Sequence, residues 1–193
     1  MSRAAYHHGD LRAALIEAAA AAVEKSGAGT ISLRALAQAL GVSTAAPYRH
    51  FADRGALLDA VAARGFEDLK AAYDRAVTET PDAAAALRGT ARAYLALAFR
   101  KPGLFRLMFA SDLVDDGASP ALLMAARAAW ETLRGAMTAA YPEASPAELA
   151  RRTLIGWSTL HGFVTLLQGG RVKGFMTEPL GESELLEAVL DGL

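Results

Sequence analysis

Residues that favour α-helices dominate the sequence, and residues that favour β-strands are sparse. Alanine supplies much of the 53% apolar fraction, and leucine, arginine and glutamate are also frequent. These residue types have high helix propensity, whereas the β-branched and aromatic residues that strands prefer are thinly spread. The sequence therefore predicts an all-α fold, and a chain of 193 residues is long enough to bury a substantial core.

Apolar residues recur at helical spacing in segments that end at glycine, proline or serine. The first predicted helix begins at Leu11 and ends near Lys25, and the second is capped by Ser32 and ends at Gly41. A third, short helix follows over residues 43–50, and a fourth runs from residue 53 to about residue 77. Five further helices are predicted over residues 82–99, 104–110, 120–140, 146–168 and 183–190.

The charge of the chain is nearly balanced but unevenly distributed. Residues 1–64 contain seven Lys or Arg and five Asp or Glu, a net of +2, whereas the rest contains 13 basic and 16 acidic residues, a net of −3. This contrast is small, but its sign is the one expected if the N-terminal part meets phosphates. The overall charge of −1 argues against a protein that coats nucleic acid wholesale.

Residues 32–51 have the spacing of a helix-turn-helix. Two short helices flank Gly41 and Val42. Glycine can take the positive φ of a sharp turn, and Val42 can fill the gap between the helices. The second helix presents Thr44, Tyr48 and Arg49 between small alanines, which would let it enter a major groove about 12 Å wide. Short helix pairs of this kind also occur as plain packing units in helical bundles, so the spacing alone leaves both interpretations open.

This segment and its flanks resemble the DNA-binding domain of the tetracycline-repressor (TetR) family. The residues that carry the resemblance are Leu15 to Ala19, Thr30 to Leu40, Gly41-Val42-Ser43, the Tyr48-x-x-Phe51 pair, and Asp53 to Leu58. Further along, Trp157-Ser-Thr-Leu-His161-Gly162 resembles the Trp-His-Gly (WHG) signature of one C-terminal ligand-domain subfamily. The resemblance therefore extends over essentially the whole chain.

The resemblance implies a set of DNA contacts and a core anchor at Phe51. Ser32 and Arg54 would reach phosphates, and the positions facing DNA would be Ser43, Thr44, Ala46, Tyr48, Arg49 and His50. Pro47 departs from the commoner family pattern, in which a larger aliphatic residue is frequent. Proline lacks a backbone donor and disfavours helical geometry at Ala46, which affects the pitch of the reading face.

The resemblance also implies an N-terminal three-helix DNA-binding domain over residues 1–64, joined by a linker helix to a ligand-binding and dimerisation domain over residues 65–193. The second domain would hold a small-molecule effector and would pair two subunits through helices 146–168 and 183–190. Large side chains in this part are candidates for the ligand pocket or for the core: Phe105, Met108, Phe109, Trp130 and Met137. His161 is a further candidate, either for ligand contact or for packing.

These features predict a transcription regulator that binds double-stranded operator DNA as a homodimer, typically as a repressor. No phosphate loop, dinucleotide fingerprint or catalytic signature indicates an enzyme, and no cofactor or metal site is indicated. No stretch approaches 18 uninterrupted apolar residues and residues 1–10 are polar, so we expect a cytoplasmic protein without a membrane segment. The remaining alternative, a structural protein that organises DNA, would bind without sequence preference.

Overall fold

The computed structural model describes residues 11–110, 118–178 and 180–191, and the regular elements in those residues are all helical. Helix α1 spans Leu11–Ser26, α2 Leu33–Ala39, α3 Arg54–Glu79, α4 Ala83–Arg100 and α5 Pro102–Met108. Helix α6 spans Pro120–Ala140, α7 Pro146–Gln168, α8 Gly174–Thr177 and α9 Glu182–Asp191, while two 3₁₀-helices cover Ala28–Thr30 and Ala46–Arg49. The predicted all-α class is confirmed.

The helices group into two compact units. The first contains the described residues up to Gly65 together with those between Gly103 and Ala125, and the second contains residues 66–102 and those from Ala126 onward. Helix α3 contributes residues to both units. The sequence predicted a boundary between a DNA-binding domain and a ligand-binding domain after residue 64, and this functional boundary stays a prediction. The packing of the helices is divided differently, because α5 and the start of α6 belong to the first unit.

The first unit is built around a buried face of α1. Leu15, Ala19 and Val23 repeat every four residues, so they share one side of the helix, and each is almost fully buried. Helix α1 packs against α2 and against the second 3₁₀-helix. Phe51 and Leu57 are also buried in this unit, which places Phe51 in the core as the family resemblance implied.

Helix α5 meets the C-terminal end of α1 through a carboxylate. The two oxygens of Glu24 accept the backbone N–H groups of Gly103 and Leu104 at 3.1 and 2.5 Å. These N–H groups lie in the first turn of α5, where no carbonyl of the same helix can accept them. A Cβ atom at residue 103 would lie 2.8 Å from the carbonyl oxygen of Val23, so glycine is required for this close approach.

The second unit is held together by α4, α7 and α9, each of which packs against the other two. Asp82 caps α4 by accepting the N–H of Ala85 at 2.7 Å, and Ser145 caps α7 by accepting the N–H of Glu148 at 3.2 Å. Arg92 donates to both carboxylate oxygens of Glu187 at 3.0 and 2.8 Å, which ties α4 to α9. Among the described residues, no helix combines the length and the apolar character needed to cross a membrane.

Candidate nucleic-acid interface and ligand cavity

The turn of the predicted helix-turn-helix is closed by backbone hydrogen bonds at the end of α2. Ser32 caps the helix, accepting the N–H of Ala35 at 3.4 Å. At the other end, the N–H of Gly41 donates to Gln38 at 3.1 Å and the N–H of Val42 donates to Ala37 at 3.0 Å. This pair of bonds is the Schellman arrangement, which needs a left-handed residue, and Gly41 has φ of +70°.

The segment after the turn is a short helix, but it is not the regular helix predicted over residues 43–50. A turn at Thr44 and Ala45 leads into the 3₁₀-helix Ala46–Arg49. The N–H groups of Ala46, Tyr48 and His50 each donate to the carbonyl three residues earlier, at 3.0, 3.3 and 2.9 Å. Pro47 explains the difference, because it has no N–H to bond the carbonyl of Ser43 and its fully buried ring fixes the local backbone.

The predicted reading residues lie on the surface of this segment. The side chains of Ser43, Thr44, Arg49 and His50 are exposed, and Ala46 is half-buried. Tyr48 is 48% exposed, which is unusual for a large aromatic side chain next to a buried core residue. A surface depression of about 490 Å³ brings several of them together, being lined by Leu11, Gly41, Val42, Ser43, Ala46, Arg49 and His50.

Two arginines near this surface have partners within the first unit. The guanidinium of Arg54 donates to the carbonyl of Ala28 at 2.6 Å, so this predicted phosphate contact also ties the start of α3 to the first 3₁₀-helix. Arginine carries five donors, so this bond leaves others for a phosphate. The guanidinium of Arg12 lies 5.5 Å from the centre of the Phe51 ring. Arg12 was not predicted from the sequence as a DNA-contacting residue. The signal available was its position next to Leu11 at the start of the predicted first helix.

The second unit contains a cavity of about 200 Å³. It is bounded by residues of α3, α4, α6, α7 and α9. Its apolar walls include Leu87, Leu133, Met137, Leu160 and Leu190. Three large polar aromatic side chains also line it: Tyr73, Tyr94 and Trp157. A concave, mainly apolar site with a few polar groups has the general character of a small-molecule site.

The tryptophan and the histidine of the C-terminal signature both contact the hydroxyl of Tyr94, a tyrosine that lines this cavity. Trp157 and His161 lie four residues apart on α7, so both side chains are on one face, and their ring centres are 5.5 Å apart. The hydroxyl oxygen of Tyr94 lies 2.7 Å from Nδ1 of His161, and the Trp157 side chain also hydrogen-bonds this hydroxyl. Burial raises the pKa of Tyr94 and lowers that of His161, so both side chains are uncharged at neutral pH.

The structure divides the side chains that the sequence grouped as candidates for ligand contact. Met137 lines the cavity. Trp130 stacks edge-on against Trp157 with ring centres 6.0 Å apart, so Trp130 and His161 both lie directly behind a cavity wall. The remaining three candidates, Phe105, Met108 and Phe109, belong to the first unit. Phe105 and Met108 are buried there, and the ring centre of Phe109 lies 5.0 Å from that of Phe105.

Tyr73 and Tyr94 were not predicted from the sequence as site residues, although the sequence contains a pattern that predicts a buried residue 73. Phe66, Leu69 and Tyr73 follow helical spacing on α3, which predicts a buried side chain at residue 73. The hydroxyl of such a tyrosine needs a partner, and this is the signal that the sequence offered. In the part of the chain that the structure describes, no group of three or more His, Asp or Glu is placed to hold a metal ion.

Comparison with known proteins identifies the family. The family model for bacterial regulatory proteins of the tetR family matches residues 15–61, and a tetracyclin repressor-like C-terminal domain matches residues 87–193. The chain belongs to the TetR family of regulatory proteins, and the family predicted from the sequence is confirmed. The likeness to the WHG subfamily stays a prediction.

Individual proteins are similar to this chain in sequence or in fold. A structure of a protein with unknown function from Rhodococcus sp. RHA1 is 34% identical, with 99% of this chain and 96% of that chain covered and a TM-score of 0.82. The TetR-like regulator LfrR from Mycobacterium smegmatis, solved with proflavine, shares the fold at 22% identity, with 94% and 92% covered and a TM-score of 0.62. The nucleoid occlusion factor SlmA from Marinomonas sp. (strain MWYL1) is 31% identical over 107 residues, 55% of this chain and 54% of that protein. The match thus spans about half the length of this curated relative.

Proposed function

We propose that this protein is a repressor that binds a palindromic operator as a homodimer and releases it when a small molecule enters the cavity of the second unit. The observation that carries the DNA-binding part is the exposed surface around the 3₁₀-helix Ala46–Arg49, presented by a tightly closed turn after α2. Thr44, Tyr48, Arg49 and His50 supply hydrogen-bonding and aromatic groups on this surface without any competing core role. Operator DNA resides in the cytoplasm, where we place the protein.

The contacts fall into two proposed kinds. Side chains of the 3₁₀-helix, above all Tyr48, would read or flank bases in the major groove, and Ser43 would hold the adjacent backbone. Ser32 and Arg54 would bind phosphates, in addition to their structural hydrogen bonds to Ala35 and Ala28. This reading segment is short, which limits the number of bases that one subunit can contact. A dimer that binds two half-sites doubles that number.

Exposed apolar side chains on the last helices support a dimer. Ile155 is 52% exposed and Phe175 is 75% exposed, although both are large and apolar. On α7 the exposed apolar residues are Leu154, Ile155 and Leu166, and beyond its end they are Phe175, Met176 and Leu180. An apolar surface of this kind marks an interface more often than free solvent exposure. We place the subunit contact on α7 and the segment that follows it.

The test of the proposed function is an in vitro selection of bound sequences from random double-stranded DNA, with sedimentation of the free protein. We expect a pseudo-palindromic site whose half-sites lie about 34–36 Å apart, or a multiple of that distance, and a dimer at micromolar concentration. Binding without sequence preference would instead support a DNA-organising protein. A monomer that binds a single half-site would contradict the dimeric mechanism.

Replacing Ile155 by glutamate should weaken the dimer. A carboxylate placed in an apolar contact loses its hydration, and in a two-fold interface the cost occurs twice. We expect the dissociation constant of the dimer, measured by sedimentation, to rise about 10- to 100-fold, and operator affinity to fall with it. The control is Ala139→Glu on α6, where residue 139 is also exposed. Equal effects of the two substitutions would place the interface elsewhere.

A further inference from the structure

The size and walls of the cavity in the second unit restrict what can bind there. Its volume of about 200 Å³ is somewhat larger than the roughly 150 Å³ of an engineered apolar cavity that binds benzene. The walls around Leu87, Leu133, Met137 and Leu160 are aliphatic, and Trp157 adds an aromatic surface. A single ring with a short substituent fits this volume and these walls.

The first cationic side chain at the cavity, Arg88, is neutralised by two carboxylates. Its guanidinium lies 2.8 Å from Asp191 and 3.3 Å from Glu187, and it also donates to the carbonyl of Leu190 at 3.2 Å. An anionic ligand would have to displace at least one of these carboxylates to gain the charge of Arg88. The site therefore offers such a ligand no free positive charge at this position.

The second cationic side chain, Arg152, is neutralised as well. Its Nε lies 2.7 Å from Glu148, and its guanidinium lies over the ring of Tyr141 at 4.5 Å. The Nε contact is an ion pair without hydrogen-bond geometry. Hydrogen bonds from Arg151 hold the pKa of Glu148 below its usual value, so the carboxylate that faces Arg152 stays charged. Both guanidinium groups at the cavity thus have an anionic partner, which favours an uncharged ligand.

Among the buried side chains at the cavity, one has a hydroxyl group without a hydrogen bond to the described residues. Tyr73 is only 3% exposed, and its hydroxyl has no hydrogen-bond partner in residues 11–110, 118–178 and 180–191. Thr90 and Thr153 instead donate to the carbonyls of Leu87 and Leu149 at 2.7 Å each, and the hydroxyl of Tyr94 is bonded to His161. Tyr141, the remaining hydroxyl group of the lining, is only partly buried. Burial raises the pKa of Tyr73, so its phenol keeps its proton. The Tyr73 hydroxyl is not sealed off from the cavity that this residue lines, so a ligand oxygen can reach it and accept its hydrogen bond.

We propose that the cavity binds an uncharged molecule with one apolar ring and one acceptor oxygen, and that this oxygen accepts a hydrogen bond from the hydroxyl of Tyr73. The proposal rests on the proposed function, in which this cavity holds the effector. Ketones, esters, lactones and amides of about ten heavy atoms belong to this class. Carboxylates of the same size and plain hydrocarbons do not.

The test uses three probes of similar shape on the full chain: acetophenone, isopropylbenzene and benzoate. Dissociation constants are measured by ligand-observed NMR for the native protein and for Tyr73→Phe, which removes only the hydroxyl. We expect the substitution to weaken acetophenone about 3- to 10-fold, the worth of one hydrogen bond, and to leave isopropylbenzene within about twofold. Benzoate should bind the native protein at least about tenfold more weakly than acetophenone.

A matched control and a stability measurement separate ligand binding from a structural role. Thr138→Val removes an exposed hydroxyl on α6 that lies outside the cavity lining, and it should leave acetophenone binding within about twofold. Tyr73→Phe should not lower the melting temperature, because it removes a hydroxyl that makes no hydrogen bond to the described residues. A lower melting temperature together with equal weakening of both neutral probes would assign Tyr73 to packing and overturn the proposal.

The remaining outcomes distinguish this proposal from the proposed function. Benzoate binding more tightly than acetophenone, or no binding of any probe, overturns the assigned ligand class. In either case, selection of a palindromic operator would leave the repressor function standing. Failure to select a specific DNA site would instead refute the repressor function, whatever the probes do at Tyr73.

Discussion

Replacing Gly103 by alanine is expected to lower the free energy of unfolding of the first unit by about 3 kcal/mol. The new Cβ would lie 2.8 Å from the carbonyl oxygen of Val23 and 2.9 Å from Cα of Glu24. Both are backbone atoms in the last turns of α1, which cannot rotate away as a flexible side chain can. Moving α5 away from α1 would also stretch the bonds from Gly103 and Leu104 to the carboxylate of Glu24.

Denaturant unfolding measured by circular dichroism tests this prediction, with Gly29→Ala as the matched control. Gly29 lies in the same unit, its φ is not positive, and a Cβ there would meet nothing within 4 Å. The control should change the free energy of unfolding by no more than about 1 kcal/mol, in the stabilising direction if at all. If Gly103→Ala behaves like the control, α5 does not pack on α1 as closely as the structure indicates.

Much of the first unit could be predicted because its signals are local. The spacing of Leu15, Ala19 and Val23 predicted the buried face of α1, and Gly41 predicted the turn. Both depend on residues fewer than ten positions apart, which sequence periodicity reports directly. The 3₁₀ geometry after the turn was not predicted, although Pro47 gave a reason to expect irregular pitch. A proline changes the hydrogen-bond pattern, but packing around its ring decides which pattern results.

The ligand candidates show what periodicity cannot report. Phe105 and Met108 were candidates for either the core or the pocket, and both are buried, but periodicity does not report which helices cover them. Packing assigns them to the first unit: a Cβ at Gly65 would lie 2.6 Å from Sδ of Met108. In the same way, the four-residue spacing of Trp157 and His161 predicts a shared helix face. Their partner Tyr94 is 67 residues away from His161, and only the folded chain brings it there.

Replacing Tyr48 by alanine is expected to produce the largest loss of function among single substitutions at the proposed DNA surface. Tyr48 is 48% exposed and belongs to the 3₁₀-helix that would enter the major groove, so its removal deletes a base contact while leaving Pro47 and Phe51 buried in the core. One such contact contributes about 1–3 kcal/mol, and a dimer loses it twice. Operator affinity should therefore fall at least about 30-fold.

Fluorescence anisotropy with the selected operator and with random DNA distinguishes base reading from general attraction. Tyr48 carries no charge, so the slope of log affinity against log salt should stay unchanged, and random DNA should lose no more than about threefold. Tyr48→Phe keeps the ring and removes the hydroxyl, so the ratio of its loss to that of Tyr48→Ala separates hydrogen bonding from ring contact. Equal losses on operator and random DNA would show that Tyr48 only supports the surface, and the base-reading role would pass to the neighbouring exposed side chains Thr44 and His50.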